Sequence, residues 1–182
     1  KYDKDGKLIS SQIVEEKPLP KKPKHDSKQF YKNAETIAKN TESILRLRYP
    51  KGTKIEVKID EKHGKERSLK HQRDLYSSGK SKSSIGLHNF GSAVDYNIFI
   101  NGKYMDGSTY ETQLPYRALG SAAKDFGYFW GWDWDSRHVA ETRFVHELFN
   151  KYPELAHRPD VKDWYFKNEK ETLASYKPIM SY

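Results

Sequence analysis

The chain has 182 residues, of which 35% are hydrophobic and 14% aromatic, and its formal net charge is +8. This length allows one sizeable hydrophobic core with appendages, and the sequence contains no apolar run of about 18 residues that would predict a transmembrane helix. The absence of cysteine excludes a disulfide framework and thiolate metal ligands.

The positive charge is typical of proteins that meet polyanions, which include nucleic acids and the carboxylate-rich bacterial cell wall. Zinc-finger spacing, a recognition helix and an RNP-like aromatic strand are all absent from the sequence, so nucleic acid is not an expected partner. The basic residues are equally compatible with an ordinary solvated surface.

Residues 1–26 are predicted to form a basic extended arm or linker. The stretch KPLPKKPK at 17–24 cannot continue a helix because its prolines lack the backbone N–H and clash with the preceding turn. This arm is a candidate for contact with a partner. The sequence starts with Lys1 and shows no signal-peptide pattern, so we expect a processed product or part of a longer protein.

The first predicted helix follows the arm. Asp26 or Ser27 can cap its start, apolar residues recur at helical spacing, and Pro50 ends it. Residues 54–59 then alternate between polar and apolar side chains, which predicts a half-buried strand. A second helix is expected from Ser68 to about residue 76.

Further elements are predicted downstream. Residues 93–100 are typical of a strand, and Asn101-Gly102 is a strong hairpin signal, so residues 103–105 should return antiparallel. A helix is predicted from Pro115 to residue 126, with Gly127 at its C-terminal end. The alternation of Trp130, Trp132 and Trp134 predicts a short strand with the rings on one side.

The segment between Ser84 and Asp95 contains the most informative spacing in the chain. His88 and Asp95 are seven residues apart, with a glycine and two small residues between them, and such residues let backbone approach a neighbouring group closely. Imidazole and carboxylate are usual ligands of catalytic zinc. The spacing is therefore compatible with a metal site, although a surface His–Asp pair would have the same spacing.

This segment resembles the S-x-x-x-H-x-x-G-x-A-x-D signature of the zinc D,D-carboxypeptidase and L-alanyl-D-glutamate endopeptidase family. The family includes enzymes of the VanY and VanX type and many phage endolysins. Its usual pattern has one residue fewer between the serine and the histidine. Residues 66–79 resemble the family's R-S-x-x-x-Q segment, and residues 119–134 resemble its tryptophan-rich segment, in the same order along the chain.

The resemblance implies a Zn²⁺ site whose first two ligands are His88 and Asp95. The family's third ligand is a histidine that follows a general-base carboxylate by three residues. Asp135 and His138 have this spacing, and we prefer them for that reason. The alternative third ligand is His146, for which Glu141 would be the nearest upstream carboxylate.

The resemblance also assigns a role to Arg67, which corresponds to the arginine that the family directs at the developing oxyanion. In the implied mechanism, three protein ligands leave one zinc position for a water of pKa about 7. Asp135 accepts a proton from this water and returns it to the leaving amine.

We therefore predict an α+β fold in which a small antiparallel sheet carries the zinc ligands and helices pack against it. The expected organisation is an arm at 1–26, a zinc peptidase-like domain at 27–152 and an aromatic C-terminal extension at 153–182. That extension could wrap back onto the domain or dock a partner.

The implied function is a zinc metallopeptidase that hydrolyses the peptide stems of peptidoglycan, as an endopeptidase or a D,D-carboxypeptidase. A phage or bacterial lytic factor would act in the cell wall or periplasm, outside the cell, or from a virion. The alternative is a catalytically weak peptidase-fold module with a structural or wall-binding role in a larger assembly such as a phage tail. Residues 1–26 are the candidate contact with such a phage or cell-wall assembly.

Overall fold

The computed structural model describes residues 26–62, 64–81, 83–132 and 135–142, together with residues 148, 152, 155, 158 and 160. The predicted arm up to residue 25 lies outside the described residues, as do Trp134 and His146. Within the described part of the chain, no helix combines the length and the apolar character needed to cross a membrane.

Helix α1 comprises Ser27–Arg48, as the sequence predicts. The Asp26 carboxylate caps it by accepting a hydrogen bond of 3.0 Å from the backbone N–H of Gln29. One face of the helix is buried along a stripe at helical spacing: Phe30, Ala34, Ile37, Ala38, Thr41 and Leu45. This stripe forms one side of the main core.

Five antiparallel strands form the sheet. They are β1 (Ile55–Ile59), β2 (Ala93–Ile100), β3 (Lys103–Met105), β4 (Phe129–Gly131) and β5 (Asp135–Ala140). The order is β1-β2-β5-β4, and β3 pairs with the far half of β2. The longest strand, β2, is therefore central, and it pairs with three others.

The other helices whose bounds lie within the described residues are α2 (Leu69–Ser77), α3 (Tyr110–Gln113) and α4 (Tyr116–Lys124). A 3₁₀ turn, Leu87–Phe90, precedes β2. The small antiparallel sheet and the helices packed against it together confirm the predicted α+β class.

The two faces of the sheet bury different sets of residues. Alternate β2 residues Val94, Tyr96 and Ile98 join the main core beneath α1 and α4. Ala93 points to the opposite face, where it packs in a second and smaller apolar cluster. The other buried members of that cluster are Ile85, Leu87, Phe90, Ala140, Leu148 and Leu155.

The tryptophan-rich segment differs from its prediction. Strand β4 ends at Gly131, and Trp132 adopts a positive φ of 42° and is 50% exposed. The strand is therefore shorter than predicted, although the ring of Trp132 still contacts that of Trp130 edge to face, with centroids 4.8 Å apart. The cause is the meeting with β5: a Cβ on Gly131 would lie 2.2 Å from the carbonyl oxygen of Asp135, so this close approach requires glycine and interrupts the ladder.

Candidate metal centre

Three predicted side chains meet on the face of the smaller cluster. His88, Asp95 and His138 each offer one ligand atom, and these atoms lie within 4.8 Å of one another. The Asp95 Oδ1 atom is 3.3 Å from His88 Nε2 and 3.2 Å from His138 Nδ1. All three side chains are largely shielded from solvent, with 15% or less of each exposed.

The pairing of β2 with β5 brings two of these residues together. Asp95 stands directly opposite His138 in the antiparallel register, and residues in register project from the same face of a sheet. The neighbouring pair on that face, Ala93 and Ala140, is apolar and buried. Small side chains therefore surround the point at which the carboxylate and the imidazole meet.

His88 comes from the 3₁₀ turn rather than from the sheet. Gly91 ends this turn with a φ of 65°, a left-handed conformation that favours glycine. The hydroxyl of Ser92 donates to the carbonyl of Leu87 at 3.1 Å, so the turn is tied to the start of β2. The glycine and the small residues of the motif thus hold His88 above the strand that carries Asp95.

The loop at 60–64 fixes the backbone of Asp95. The Asp95 N–H donates to the carbonyl of Gly64, and the Asp95 carbonyl accepts from the N–H of Asp60, both at 2.9 Å. A Cβ on Gly64 would lie within 2.9 Å of atoms of both Asp60 and Asp95, so only glycine fits. Neither Asp60 nor Gly64 was predicted to belong to the site, because neither lies in a recognisable motif.

The ring orientation of His88 suits a metal ligand. Its Nδ1 lies 3.0 Å from the backbone carbonyl of Lys65. A carbonyl only accepts hydrogen bonds, so Nδ1 carries a hydrogen, and in the neutral ring Nε2 is then the nitrogen that can offer a lone pair to a metal. Metal-ligating histidines are commonly held by such a contact on the nitrogen that does not bind the metal.

Arg67 lies beside the candidate ligands. Its guanidinium donates to Asp95 Oδ2 at 3.0 Å and to the side-chain oxygen of Gln72 at 3.4 Å. Its backbone N–H donates to the carbonyl of His88 at 3.1 Å. The predicted site thus includes Arg67 by position, and the contacts of its guanidinium include an ion pair with Asp95.

Two amides hold this arrangement together. The buried amide of Gln72 also donates to the carbonyl of Ser83 at 2.7 Å, which connects helix α2 to the loop before the 3₁₀ turn. Asn89 donates to the carbonyl of Arg67 at 3.0 Å and accepts from the N–H of Gly86 at 2.8 Å. The sequence analysis gave neither amide a role. For Gln72, its place in the R-S-x-x-x-Q segment was an available signal.

Asp135 occupies the first position of β5 and is partly buried. Burial raises the pKa of its carboxyl above the usual value, and the charges of His138, Asp95 and His88 influence it as well. The predicted base therefore lies within electrostatic reach of all three candidate ligands. Its alternative, Glu141, lies just beyond the other end of β5, where its N–H donates to the carbonyl of Ser92 at 2.8 Å.

Each of the two histidines has a different electrostatic environment. Burial lowers the pKa of His88, against the opposing effect of Asp95. Burial would also lower the pKa of His138, but its hydrogen bonds to Asp160 and Asp95 raise it to about 9. The pKa of Asp95 is held well below its usual value, because the attraction of His88 and the hydrogen bonds from both imidazoles outweigh the effect of burial.

The donor set fits a zinc ion. Two imidazole nitrogens and one carboxylate oxygen are borderline and hard ligands that zinc accepts, and three protein ligands are typical of catalytic sites with a position left for water. His146, the alternative third ligand, lies outside the described residues.

A sequence model of the family described as D-alanyl-D-alanine carboxypeptidase matches residues 79–140. Residues 79–140, called here the family segment, are similar to that family. The resemblance predicted from the sequence is therefore confirmed. The family segment contains His88, Asp95, Asp135 and His138, whereas Arg67 precedes it.

Among solved structures, the chain is similar to the crystal structure of the L-Ala D-Glu endopeptidase ChiX of Serratia marcescens. The two are 23% identical, the match covers 79% of this chain and 99% of that chain, and the TM-score is 0.41. No protein of curated function shows significant sequence similarity to the chain.

Proposed function

We propose that this protein is a zinc-dependent peptidase that hydrolyses the peptide stems of bacterial peptidoglycan, as an endopeptidase or a D,D-carboxypeptidase. The observation that carries the proposal is the meeting of His88, Asp95 and His138 within a segment similar to the D-alanyl-D-alanine carboxypeptidase family. The site of action that follows is the cell wall, reached from the periplasm, from outside the cell or from a virion.

In this proposal His88 would hold zinc through Nε2, Asp95 through a carboxylate oxygen and His138 through Nδ1. When bound, zinc supplies a Lewis acid and makes hydroxide available near neutral pH. The hydrogen bond from His88 to the carbonyl of Lys65 orients one ligand. The ion pair between Arg67 and Asp95 orients another, because the second carboxylate oxygen is occupied by the guanidinium.

Asp135 is the proposed general base. It would take a proton from the attacking water and deliver it to the leaving amine. Its partial burial supports this role, because a carboxyl whose pKa is raised towards neutrality transfers protons more readily in both directions. Arg67 is the proposed positive charge for the developing oxyanion, and a preorganised donor at such a place contributes about 3 to 4 kcal/mol.

The test is mass spectrometry of muropeptides after incubation of purified sacculi with the zinc-loaded protein, with a chelated sample as control. We expect a product that disappears on chelation, and its mass will identify the cleaved bond. Zinc binding without any product on several wall chemistries would reject the enzyme. That outcome would favour a peptidase-fold module of a larger assembly.

A further inference from the structure

A buried carboxylate contacts His138 on the side of the imidazole ring that faces away from the other candidate ligands. Asp160 lies beyond the family segment and is 0% exposed. Its Oδ2 atom is 3.2 Å from Nε2 of His138. The sequence analysis placed this residue in a separate C-terminal extension and gave it no role.

Arg158 holds this carboxylate in place. Its guanidinium donates from Nε to one oxygen of Asp160 and from a terminal nitrogen to the other, both at 3.0 Å. This two-point geometry is the strong and directional form of an arginine–carboxylate pair. The same side chain lies 3.4 Å from the carbonyl of Ile85, and a Cβ on Gly86 would come within 3.2 Å of it. Arg158 thus connects Asp160 to the segment that leads into His88.

The two ring nitrogens of His138 face different groups. Nδ1 lies 3.2 Å from Asp95 Oδ1, on the side where the candidate ligand atoms meet, and Nε2 faces Asp160. An ionised carboxylate only accepts hydrogen bonds, so its partner nitrogen must carry a hydrogen. In a neutral imidazole the other nitrogen then has the free lone pair that a metal requires.

We propose that Asp160 is a positioning residue: it fixes His138 in the tautomer that directs Nδ1 at the metal, and Arg158 fixes Asp160. The inference rests on the proposed metal function of His138. Asp160 itself is not a ligand, because it lies across the imidazole ring from His88 and Asp95. A carboxylate behind a metal-binding histidine orients the ring and increases its basicity.

One consequence concerns the limits of the functional unit. Leu155 packs in the same small apolar cluster as Leu87 and Ala140, and Asp160 follows within a few residues. Because Leu155 is buried in this cluster, the Asp160 carboxylate is held close to His138. The chain up to residue 160 therefore contributes to the metal centre. Leu155, Arg158 and Asp160 would be required for tight metal binding as well as for packing.

The first experiment measures zinc affinity by competition with a chromophoric chelator, for the complete chain and for Asp160→Ala. We expect zinc to bind about 10- to 100-fold more weakly to the variant, the usual effect of removing such a partner. Asp160→Asn keeps an oxygen that can accept from Nε2 and should recover part of the affinity. A change of less than about twofold in Asp160→Ala would overturn the proposal.

Leu119→Ala is the matched control. Leu119 is fully buried on the opposite side of the sheet, so the variant loses stability without touching the metal centre. Its zinc affinity should equal that of the unmodified protein. If it loses as much affinity as Asp160→Ala, the effect of Asp160 is general destabilisation, and the positioning role is rejected.

A second measurement needs no variant. Long-range ¹⁵N–¹H correlation spectra of the zinc-loaded protein report which ring nitrogen of His138 carries a hydrogen. We expect hydrogen on Nε2 and metal on Nδ1. Hydrogen on Nδ1 would overturn the proposal.

Neither measurement depends on turnover, so the two proposals can fail separately. Weaker zinc binding in Asp160→Ala together with no cleavage of sacculi would reject the peptidase and retain the positioning role. Chelator-sensitive cleavage with unchanged zinc affinity in Asp160→Ala would do the reverse. A protein that binds no zinc at all would reject both.

Discussion

The two faces of the central sheet use the same strands for different purposes. One face is covered by α1 and α4 and is almost entirely apolar. The other carries an imidazole–carboxylate cluster beside a smaller apolar cluster to which the 3₁₀ turn and residues near the C-terminus contribute. Because successive side chains of β2 point to opposite faces, Val94 packs in the core of the first face and its neighbour Asp95 joins the cluster on the second.

The difference between the faces has an energetic meaning. Apolar burial on the helix face stabilises the fold in proportion to the area removed from water. Buried charges on the other face are costly unless each is paired, and there Asp95 pairs with Arg67 and Asp160 with Arg158. We expect stability to depend mainly on the first face and metal chemistry on the second.

The largest expected effect is the loss of a candidate ligand. His88→Ala should abolish both zinc binding and hydrolysis, because two remaining ligands no longer define the site. Zinc content after gel filtration and release of muropeptides are the measurements. His71→Ala is the control, since His71 lies exposed on α2, and it should retain both properties. A fully active His88→Ala would refute the proposed metal centre.

The second prediction distinguishes the loss of proton transfer from the loss of zinc binding. Asp135→Asn should lower turnover by about 10²- to 10⁴-fold, the usual contribution of a general base, while zinc content stays unchanged. Glu141→Gln is the matched comparison and should remain active. If Asp135→Asn keeps full activity and Glu141→Gln loses it, the base is Glu141, and His138 is no longer favoured as the third ligand.

The third prediction concerns the helix face. Leu119→Ala should lower the free energy of unfolding by about 2 to 5 kcal/mol, the range for a truncated leucine in a core. Denaturant unfolding measures it, and Leu47→Ala, at an 88% exposed position of α1, should change little. A strong loss of zinc affinity in Leu119→Ala would show that the two faces are not independent.

The smallest expected effect is the release of a proton from His138 when zinc binds. In the metal-free protein the pKa of His138 is about 9, so at pH 7 the ring is protonated and must lose a proton before it can bind a metal. Zinc binding at pH 7 should therefore release a proton, and affinity should rise with pH up to about 9. Calorimetry in buffers of different ionisation enthalpy measures this release. No dependence on the buffer would contradict the protonated state.

The same protonation affects folding. A pKa that is raised in the folded protein stabilises it below the unfolded value of about 6.5, and this contribution disappears as the pH rises through about 9. The metal-free protein should accordingly lose thermal stability between these values. The zinc-loaded protein should not show this loss, since the proton is already absent.

Much of the local structure follows from short-range signals. The cap at Asp26, the hairpin at Asn101-Gly102 and the strand at 93–100 lie where the sequence predicts them. At the hairpin, both turn residues have positive φ, 51° and 78°, which is the backbone state that this dipeptide favours. In contrast, the strand predicted to run through Trp132 ends at Gly131, because contact with β5 determines where it ends.

The sequence by itself determined the α+β class, the elements that local signals specify, and the His88–Asp95 pair, because these depend on residues that are close along the chain. Only the tertiary structure decided that His138 contacts Asp95 through one ring nitrogen and Asp160 through the other. These partners are 43 and 22 residues away along the chain. Strand register and burial of distant apolar residues set such contacts, and no local pattern encodes either.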